Sequence, residues 1–492
     1  MSLSGSNKAE KASHDGASET SWLAGDHRQF LLDRHGTIEL HPVPCMDPHD
    51  PLNWSTAKKA TNLILVSFHA MMFSFTAAAI QCAFVDIAHD LGVSVQKASY
   101  LTSLFIGILG VSALFWAPLS HTFGRRPVFL LSLTGSLVGN VGCGLSRRSY
   151  AAMAVSRALT AFFVSPTGAL GTAVVSEMFF HRDRGRCMGV WTVMTTLGVP
   201  LAPLVFGFAA LRVGYRWIYW TLTITNVVQI ILHWFFGSET RYEPTKTPSR
   251  LRYWPWLRRI DPQPLSWFEF VRPLTFVRRG RVAIAAASFA VVFLWGSIMV
   301  TLEIPQIFPA KFGLNTQDIG LQNLAIIVGT LGGELIGGFA SDKWMHLRER
   351  KGKRPCSAEF RLWLSHVGYM LTILGVAVFF AQLDRASDVW DVSPLLGVAL
   401  AAAGNQMVTT ILMTYTVDCY PADATAVGAF LNFVRLTWGF LGPFWFPQMI
   451  ENLGFVRSIA VPTVMILVVS VLPTLVLQWK GPEWDGERRE DG

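Results

Sequence analysis

The sequence predicts an all-α membrane protein of twelve transmembrane helices arranged as two six-helix halves. Three observations carry this. The 492 residues are 51% hydrophobic and 15% charged, against about 25% charged in soluble domains, and the mean hydropathy is +0.38. A soluble chain could not cover so much apolar surface. Runs long enough to cross a bilayer, about 20 residues each, recur along the chain and divide six and six around a polar middle segment. Finally, the basic residues crowd into alternate loops, as membrane orientation requires.

Residues 1–58 are rich in Ser, Gly, His and charge, which reads as a disordered tail with no cleavable signal peptide. The first apolar segment then serves as its own insertion signal. The predicted spans are 60–82, 98–119, 128–145, 150–176, 187–211 and 217–236 in the first half (59–236). In the second half (282–479) they are 282–308, 319–340, 362–383, 393–417, 424–449 and 459–479. Gly107, Gly110, Gly329, Gly332 and Gly333 supply the small residues that let helices approach closely in lipid. A cytoplasmic loop, 237–281, joins the halves, and 480–492 forms a short tail.

Of the 41 Lys and Arg residues, thirty-one fall on one side of the predicted topology and eight on the other. The last two, Arg157 and Arg435, lie inside spans. The basic side is cytoplasmic by this rule, with both termini on it; "inner" and "outer" are used below in this sense. The pI near 9.3 would suit a nucleic-acid partner, but the charges flank apolar segments, so none is expected. Asn53-Trp54-Ser55 fits the N-glycosylation pattern but sits on the inner side, so it is expected to be unused. The six cysteines show no metal-ligand spacing. Cys82 and Cys143 both fall near the outer face, where a disulfide is an option against two buried thiols.

The middle loop mixes aromatic and basic residues: Tyr253-Trp-Pro-Trp256, Trp267, Phe268, Phe270 and Phe276 among Arg252, Arg258, Arg259, Arg272, Arg278, Arg279 and Arg281. It reads either as a segment lying in the anionic inner interface or as a solvated linker carrying an orientation signal.

Soluble-enzyme chemistry finds no foothold. No phosphate-cradling Gly-rich loop with a Lys is present, and no His-Glu-x-x-His. An ATP-driven pump and a zinc hydrolase are thereby excluded, and a non-enzymatic chain without cofactor or metal is expected.

The inner turn after span 2 reads Ala117-Pro-Leu119-Ser-His121-Thr-Phe-Gly124-Arg125-Arg126. It resembles the G-x-L-a-D-r-x-G-R-R loop of the major facilitator superfamily, with Ala117 in place of Gly and His121 in place of the acid. The second half offers Gly338-Phe-Ala-Ser-Asp342 followed by a basic cluster. Asp47-Pro-His-Asp-Pro-Leu-Asn-Trp54, Glu239-Thr-Arg-Tyr242 and Asn432-Phe-Val-Arg435 look like the fungal twelve-helix drug:proton antiporters. In span 5, Gly198, Pro203 and Gly207 match the antiporter pattern, while Ala202 and Phe206 depart from it; Pro200 and Pro203 suit a kink. In span 4, Arg157 keeps the Arg of R-x-x-q-G and the rest departs.

The resemblance implies alternating access, a small organic substrate, protons as the coupling ion, a bilayer as environment, a monomer and the plasma membrane. Proton-driven export of a drug, toxin or secondary metabolite is the leading reading. Uptake of an organic cation such as a polyamine is the runner-up, and a non-transporting receptor a distant third. The turn's His121, Gly124, Arg125 and Arg126, with Asp342, would form a conformational latch between the halves. With His121 neutral or repelling the arginines, that latch is expected to be weak and pH-sensitive.

An ionisable group deep in a bilayer costs about 2.5–3.5 kcal/mol on insertion scales, so each is a functional candidate. Glu334 lies eight residues before Asp342, about 12 Å into the membrane at 1.5 Å per residue. It is either a proton carrier whose affinity a substrate can change or the partner of Arg435 in an ion pair. Arg157 is either a cavity cation or a donor to helix carbonyls. Glu303 gates an outer cavity or is wetted at the surface, and His69 titrates or packs. Asn405, Gln406 and Asn432 are candidate substrate contacts, while Trp295 either clamps substrate or packs.

Overall fold

The computed structural model describes residues 25–38, 40–146, 149–242, 260, 265–340, 343, 358–420 and 423–480. Among these, helices cover all twelve predicted spans. In the first half they are Thr56–Ala78 continued by Phe84–Leu91, Val95–Phe123, Arg125–Leu145, Tyr150–Val164 with Pro166–Met178, His181–Val213 and Arg216–Phe236. The second half has Gly280–Phe293 running into Val300–Phe312, then Thr316–Glu334, Leu362–Arg385, Ser393–Cys419, Ala424–Leu441 and Ala460–Ile466 with Leu472–Lys480. Helix is the answer lipid imposes, because every backbone N–H and C=O must be satisfied within its own segment.

Local chemistry sets the ends. Ser94 accepts from the Lys97 N–H to start span 2, and Asn315 with Asp318 forms a capping box at the start of span 8. Gly313, at φ +64, ends span 7, a conformation that costs glycine nothing. Three spans contain a wider π-helical turn: Leu294–Met299 in span 7, Leu335–Ala340 in span 8 and Leu467–Val471 in span 12.

Two predicted boundaries are corrected. Span 11, expected over 424–449, is interrupted after Leu441, where Gly442 and Pro443 turn the chain; helix resumes at Phe446, and a break at Gly454, φ +71, divides Phe446–Ser458 in two. Pro443 has no N–H to continue the ladder. Span 1, expected over 60–82, stops as an α-helix at Ala78, and a short turn over Gln81–Ala83 leads to the next segment.

Where a disordered tail is expected over 1–58, residues from Gly25 onward fold against the inner face. Gly25–His35 is helical with Leu31 fully buried. Asp50 accepts from the N–H groups of Cys45 (2.8 Å) and Leu52 (2.9 Å). The Asn53 amide donates to the carbonyls of Cys45 (2.6 Å) and Asp47 (2.9 Å). Tyr242 Oη donates to Asp47 at 2.9 Å, fastening the collar to the end of span 6. These bonds bury Asn53, which leaves its amide no room for a glycan. Cys82 and Cys143 are free, buried thiols, so the disulfide option is not taken.

Within each half, span 1 packs on span 5, span 3 on spans 4 and 6, spans 8 and 9 on span 10, and span 7 on span 11. Across the halves, span 5 meets span 8 and span 2 meets span 11. Glycines permit both crossings. A Cβ at Gly320 would lie 2.5 Å from the Pro203 carbonyl, and one at Gly207 2.9 Å from the Thr316 carbonyl. A Cβ at Gly110 would lie 3.1 Å from Leu436 Cβ, and one at Gly107 2.9 Å from the Phe440 ring.

Gly320→Leu should therefore push spans 5 and 8 apart and lower the thermal unfolding midpoint of the purified protein, overpacking costing about 1–3 kcal/mol. Gly332→Leu, at a glycine whose Cβ would meet nothing within 4 Å, should leave the midpoint unchanged.

Candidate functional site

The halves close at their outer ends. Besides the glycine crossings, Thr316 Oγ1 donates to Asp86 at 2.7 Å, and the Tyr100 and Phe444 rings lie 4.6 Å apart. Glu303 is buried and accepts from Gln306 Nε2 at 3.2 Å, on the part of span 7 that packs against Gln81–Ala83 and Phe84–Leu91. Its place is this outer closure.

Farther in, Glu334 stands fourteen residues from Gly320 along span 8. That is just under four turns at 3.6 residues per turn, so Glu334 belongs to the stripe that meets span 5 at the closure. Gln406 Nε2 (2.7 Å) and Thr410 Oγ1 (2.8 Å), both on span 10, donate to its Oε2. The other oxygen has no hydrogen-bond or ionic partner among the described residues. The alternative of a Glu334–Arg435 ion pair is not formed.

Arg435 instead lies over two rings of span 7, with its guanidinium carbon 5.0 Å from the Phe289 centroid and 4.7 Å from the Phe293 centroid. Such cation–π contact partly replaces lost water. Its Nε is buried without an acceptor. Asn432, one turn away, shares its face. Asn405 sits on span 10 beside Gly296, its Oδ1 buried without a donor.

Trp295 does not line an open space. Fully buried in the π-helical turn of span 7, it packs on Trp445 and Phe446 at 5.5 and 5.2 Å.

Arg157 is fully buried, and its charge is used locally. Nη1 donates to the Thr76 carbonyl at 3.0 Å and Nη2 to the Ala77 carbonyl at 3.2 Å, while Phe105 covers the guanidinium at 4.2 Å. Span 1 breaks just beyond Ala78, so these carbonyls lose their helical partners. A cation at a helix C-terminus satisfies them and complements the dipole. Of the two readings of Arg157, the carbonyl donor is the one formed.

His69 points away from the seam between the halves. It is buried against Phe129 of span 3 and His233 of span 6, with ring centroids 5.6 and 5.3 Å away.

Among the described residues, the inner turn is organised around a buried carboxylate. Gly124, at φ +96, joins spans 2 and 3 with its α-carbon against Glu239, just past span 6; a Cβ there would come within 2.5 Å of Oε2. Backbone N–H groups of Arg125 (2.8 Å), Arg126 (3.0 Å) and Arg241 (3.0 Å) donate to the Glu239 carboxylate. Burial pushes that carboxyl above its ordinary pKa and the charge of Glu177 adds to the rise, while the three N–H donors hold it down. Arg125 donates to Glu177 at the end of span 4 through Nε (3.2 Å) and Nη2 (2.8 Å), and Thr240 donates to the same carboxylate at 2.7 Å. Arg126 donates to the Trp234 carbonyl at 2.7 Å.

All these partners lie in the first half or within five residues of its end. The described residues thus tie the inner ends of spans 2, 3, 4 and 6 together; Asp342 lies outside them. Glu239 and Glu177 supply the negative charge that His121 cannot. His121 Nδ1 accepts from Arg241 at 2.6 Å, and since arginine only donates, that nitrogen is unprotonated. Glu177 carried no signal in the sequence; Glu239 stood out only as part of the Glu239-Thr-Arg-Tyr242 stretch, not as a partner of the turn.

In span 5, Gly198 packs against span 1, where Ser74 Oγ donates to the Thr195 carbonyl at 2.5 Å. Pro200 and Pro203 lie within one continuous helix. The positions expected to form a hinge are thus a contact to span 1 at Gly198 and the crossing with span 8 at Pro203 and Gly207.

Arg157→Met should leave both carbonyls unpaired, at about 1–3 kcal/mol per buried group, and lower unfolding stability by about 2–4 kcal/mol. Arg157→Lys, with one ammonium for two acceptors, should fall between. Thermal unfolding in detergent checks the order; unchanged stability in Arg157→Met would contradict the capping role.

The Major Facilitator Superfamily model matches residues 64–443. An uncharacterized transporter of Schizosaccharomyces pombe is 25% identical, covering 88% of this chain and 90% of that protein. An efflux pump of Penicillium aethiopicum is 23% identical, covering 83% and 82%. Among solved structures, a bacterial homologue of the human lysosomal transporter Spinster, inward-facing and occupied, is similar with a TM-score of 0.62 at 14% identity, covering 86% of this chain and 97% of that one. With the family model spanning most of both halves and the twelve helices in place, the chain belongs to the major facilitator superfamily and is a multi-pass membrane transporter.

Proposed function

We propose that this transporter exports a small organic compound in exchange for protons, with Glu334 as the proton carrier. The observation that carries the proposal is the half-satisfied carboxyl of Glu334. Gln406 and Thr410 hold one oxygen, the other has no partner among the described residues, and the group lies on the stripe of span 8 that faces span 5. A fixed acid with one open oxygen can take a proton from one side of the membrane and release it to the other as the halves rock. A compound arriving at the same stripe would compete with that proton, which is the requirement for exchange.

The other candidates have supporting places. Arg157 keeps the break in span 1 intact, Glu303 belongs to the outer closure, and Arg435 and Asn405 lie against span 7. We place both termini in the cytosol on the bias of basic residues, and the chain in the plasma membrane as a monomer.

Cells expressing the chain can be screened for resistance to diverse toxic compounds, and a protecting compound followed in inside-out vesicles. Uptake should collapse with nigericin, which dissipates the pH gradient, and its rate should fall about a hundredfold or more in Glu334→Gln, the size expected for loss of a proton-transfer group. Wild-type accumulation in Glu334→Gln would remove Glu334 from the role. Indifference to nigericin would remove proton coupling.

A further inference from the structure

After span 6 the chain returns to the membrane as the helix Trp267–Thr275 and a short 3-10 turn, Phe276–Arg278. This element lies between the halves on the inner side. Phe270 packs on Phe115 of span 2 with centroids 5.7 Å apart, Arg272 pairs with Asp423 at the start of span 11 at 2.5 Å, and Phe276 meets Tyr420 at 5.9 Å. Phe115 stands eight residues before the inner end of span 2, about 12 Å along the helix at 1.5 Å per residue. The strap is therefore at the depth of the inner leaflet, not out in the cytosol.

Beside the exposed Glu269, Arg272 and Thr275, the strap presents four large apolar side chains to its surroundings. Trp267 is 85% exposed, Phe268 63%, Val271 50% and Val277 60%. Nothing in the chain covers them among the described residues. Arg278 and Arg279 follow at once, both exposed and with no acidic partner among the described residues. Exposed rings beside unpaired arginines at leaflet depth complement one occupant, a phospholipid carrying net negative charge.

We infer that this strap is a binding site for anionic phospholipid of the inner leaflet. Trp267, Phe268, Val271 and Val277 enter the acyl region, and Arg278 and Arg279 hold the headgroup phosphate. Because Phe270 and Arg272 hold opposite halves, the lipid seats an element that spans the seam. The inference needs only the membrane fold and stands whether or not Glu334 carries protons.

The test uses the full chain in nanodiscs of phosphatidylcholine alone or with 30 mol% phosphatidylserine, that composition being roughly a PS-rich inner leaflet. Amide hydrogen exchange is followed over 268–279. With phosphatidylserine, exchange should slow on the order of tenfold or more, since each basic side chain near an anionic surface contributes about 1 kcal/mol. Arg278→Gln with Arg279→Gln should exchange alike in both compositions while remaining monodisperse. Phe268→Ser should exchange faster in both, with the serine-lipid effect reduced. Equal exchange of the wild type in the two compositions would overturn the inference, as would a full phosphatidylserine effect in the double arginine variant. Slowing that depends on Phe268 but not on lipid charge would also overturn it, reducing the strap to an apolar anchor.

Discussion

Arg157 donates to the carbonyls of Thr76 and Ala77 where span 1 breaks, and these two bonds show the constraint that shapes the molecule. A charge inside a bilayer must be answered by nearby protein, because water is too far away to do it. Arg157 answers with the carbonyls of a broken helix, so the break and the arginine require each other. Arg125 answers with Glu177, at the inner edge. Among the described residues Arg435 has two aromatic faces, and Glu334 two neutral donors on one oxygen. Arg125 and Arg157, most of whose donors are taken, hold structure, whereas Glu334 keeps an open oxygen on the stripe that faces span 5 and Arg435 stacks on span 7.

The same constraint separates the two ends of the transporter. Outside, the closure is made of glycine crossings and aromatic contacts with few charges, a surface that can part without stranding ions. Inside, the first half is bound into one body by carboxylates at span ends, where water can share the desolvation. The Glu239 carboxylate gathers three backbone N–H groups from two chain segments, and the amino-terminal collar adds Asp47 through Tyr242. Rocking of two stiff halves needs this kind of internal bracing, and the ties formed at the inner turn are ties within a half.

Much of this was legible in the sequence because lipid leaves so few choices. Apolar run length and the side bias of Lys and Arg yield the spans and the two halves, and any acid or arginine within a span stands out. Partner choice was not legible. Whether Arg435 would meet Glu334 depends on the rotation of spans 8 and 11, which an all-apolar helix does not encode in its periodicity. The collar was hidden for a different reason: Asp50 and Asn53 fold it by side-chain bonds to backbone, with little apolar burial to betray it. Trp295 looked like a candidate clamp because tryptophan suits both packing and binding, and only its contact with Trp445 and Phe446 decides between them.

The central claim concerns one carboxyl, and a pH-sensitive dye in proteoliposomes reads it. A gradient of a compound against which the chain protects cells should drive protons in the opposite direction in the wild type and not in Glu334→Gln. Proton movement at the wild-type rate in Glu334→Gln, or none in the wild type, would contradict the account.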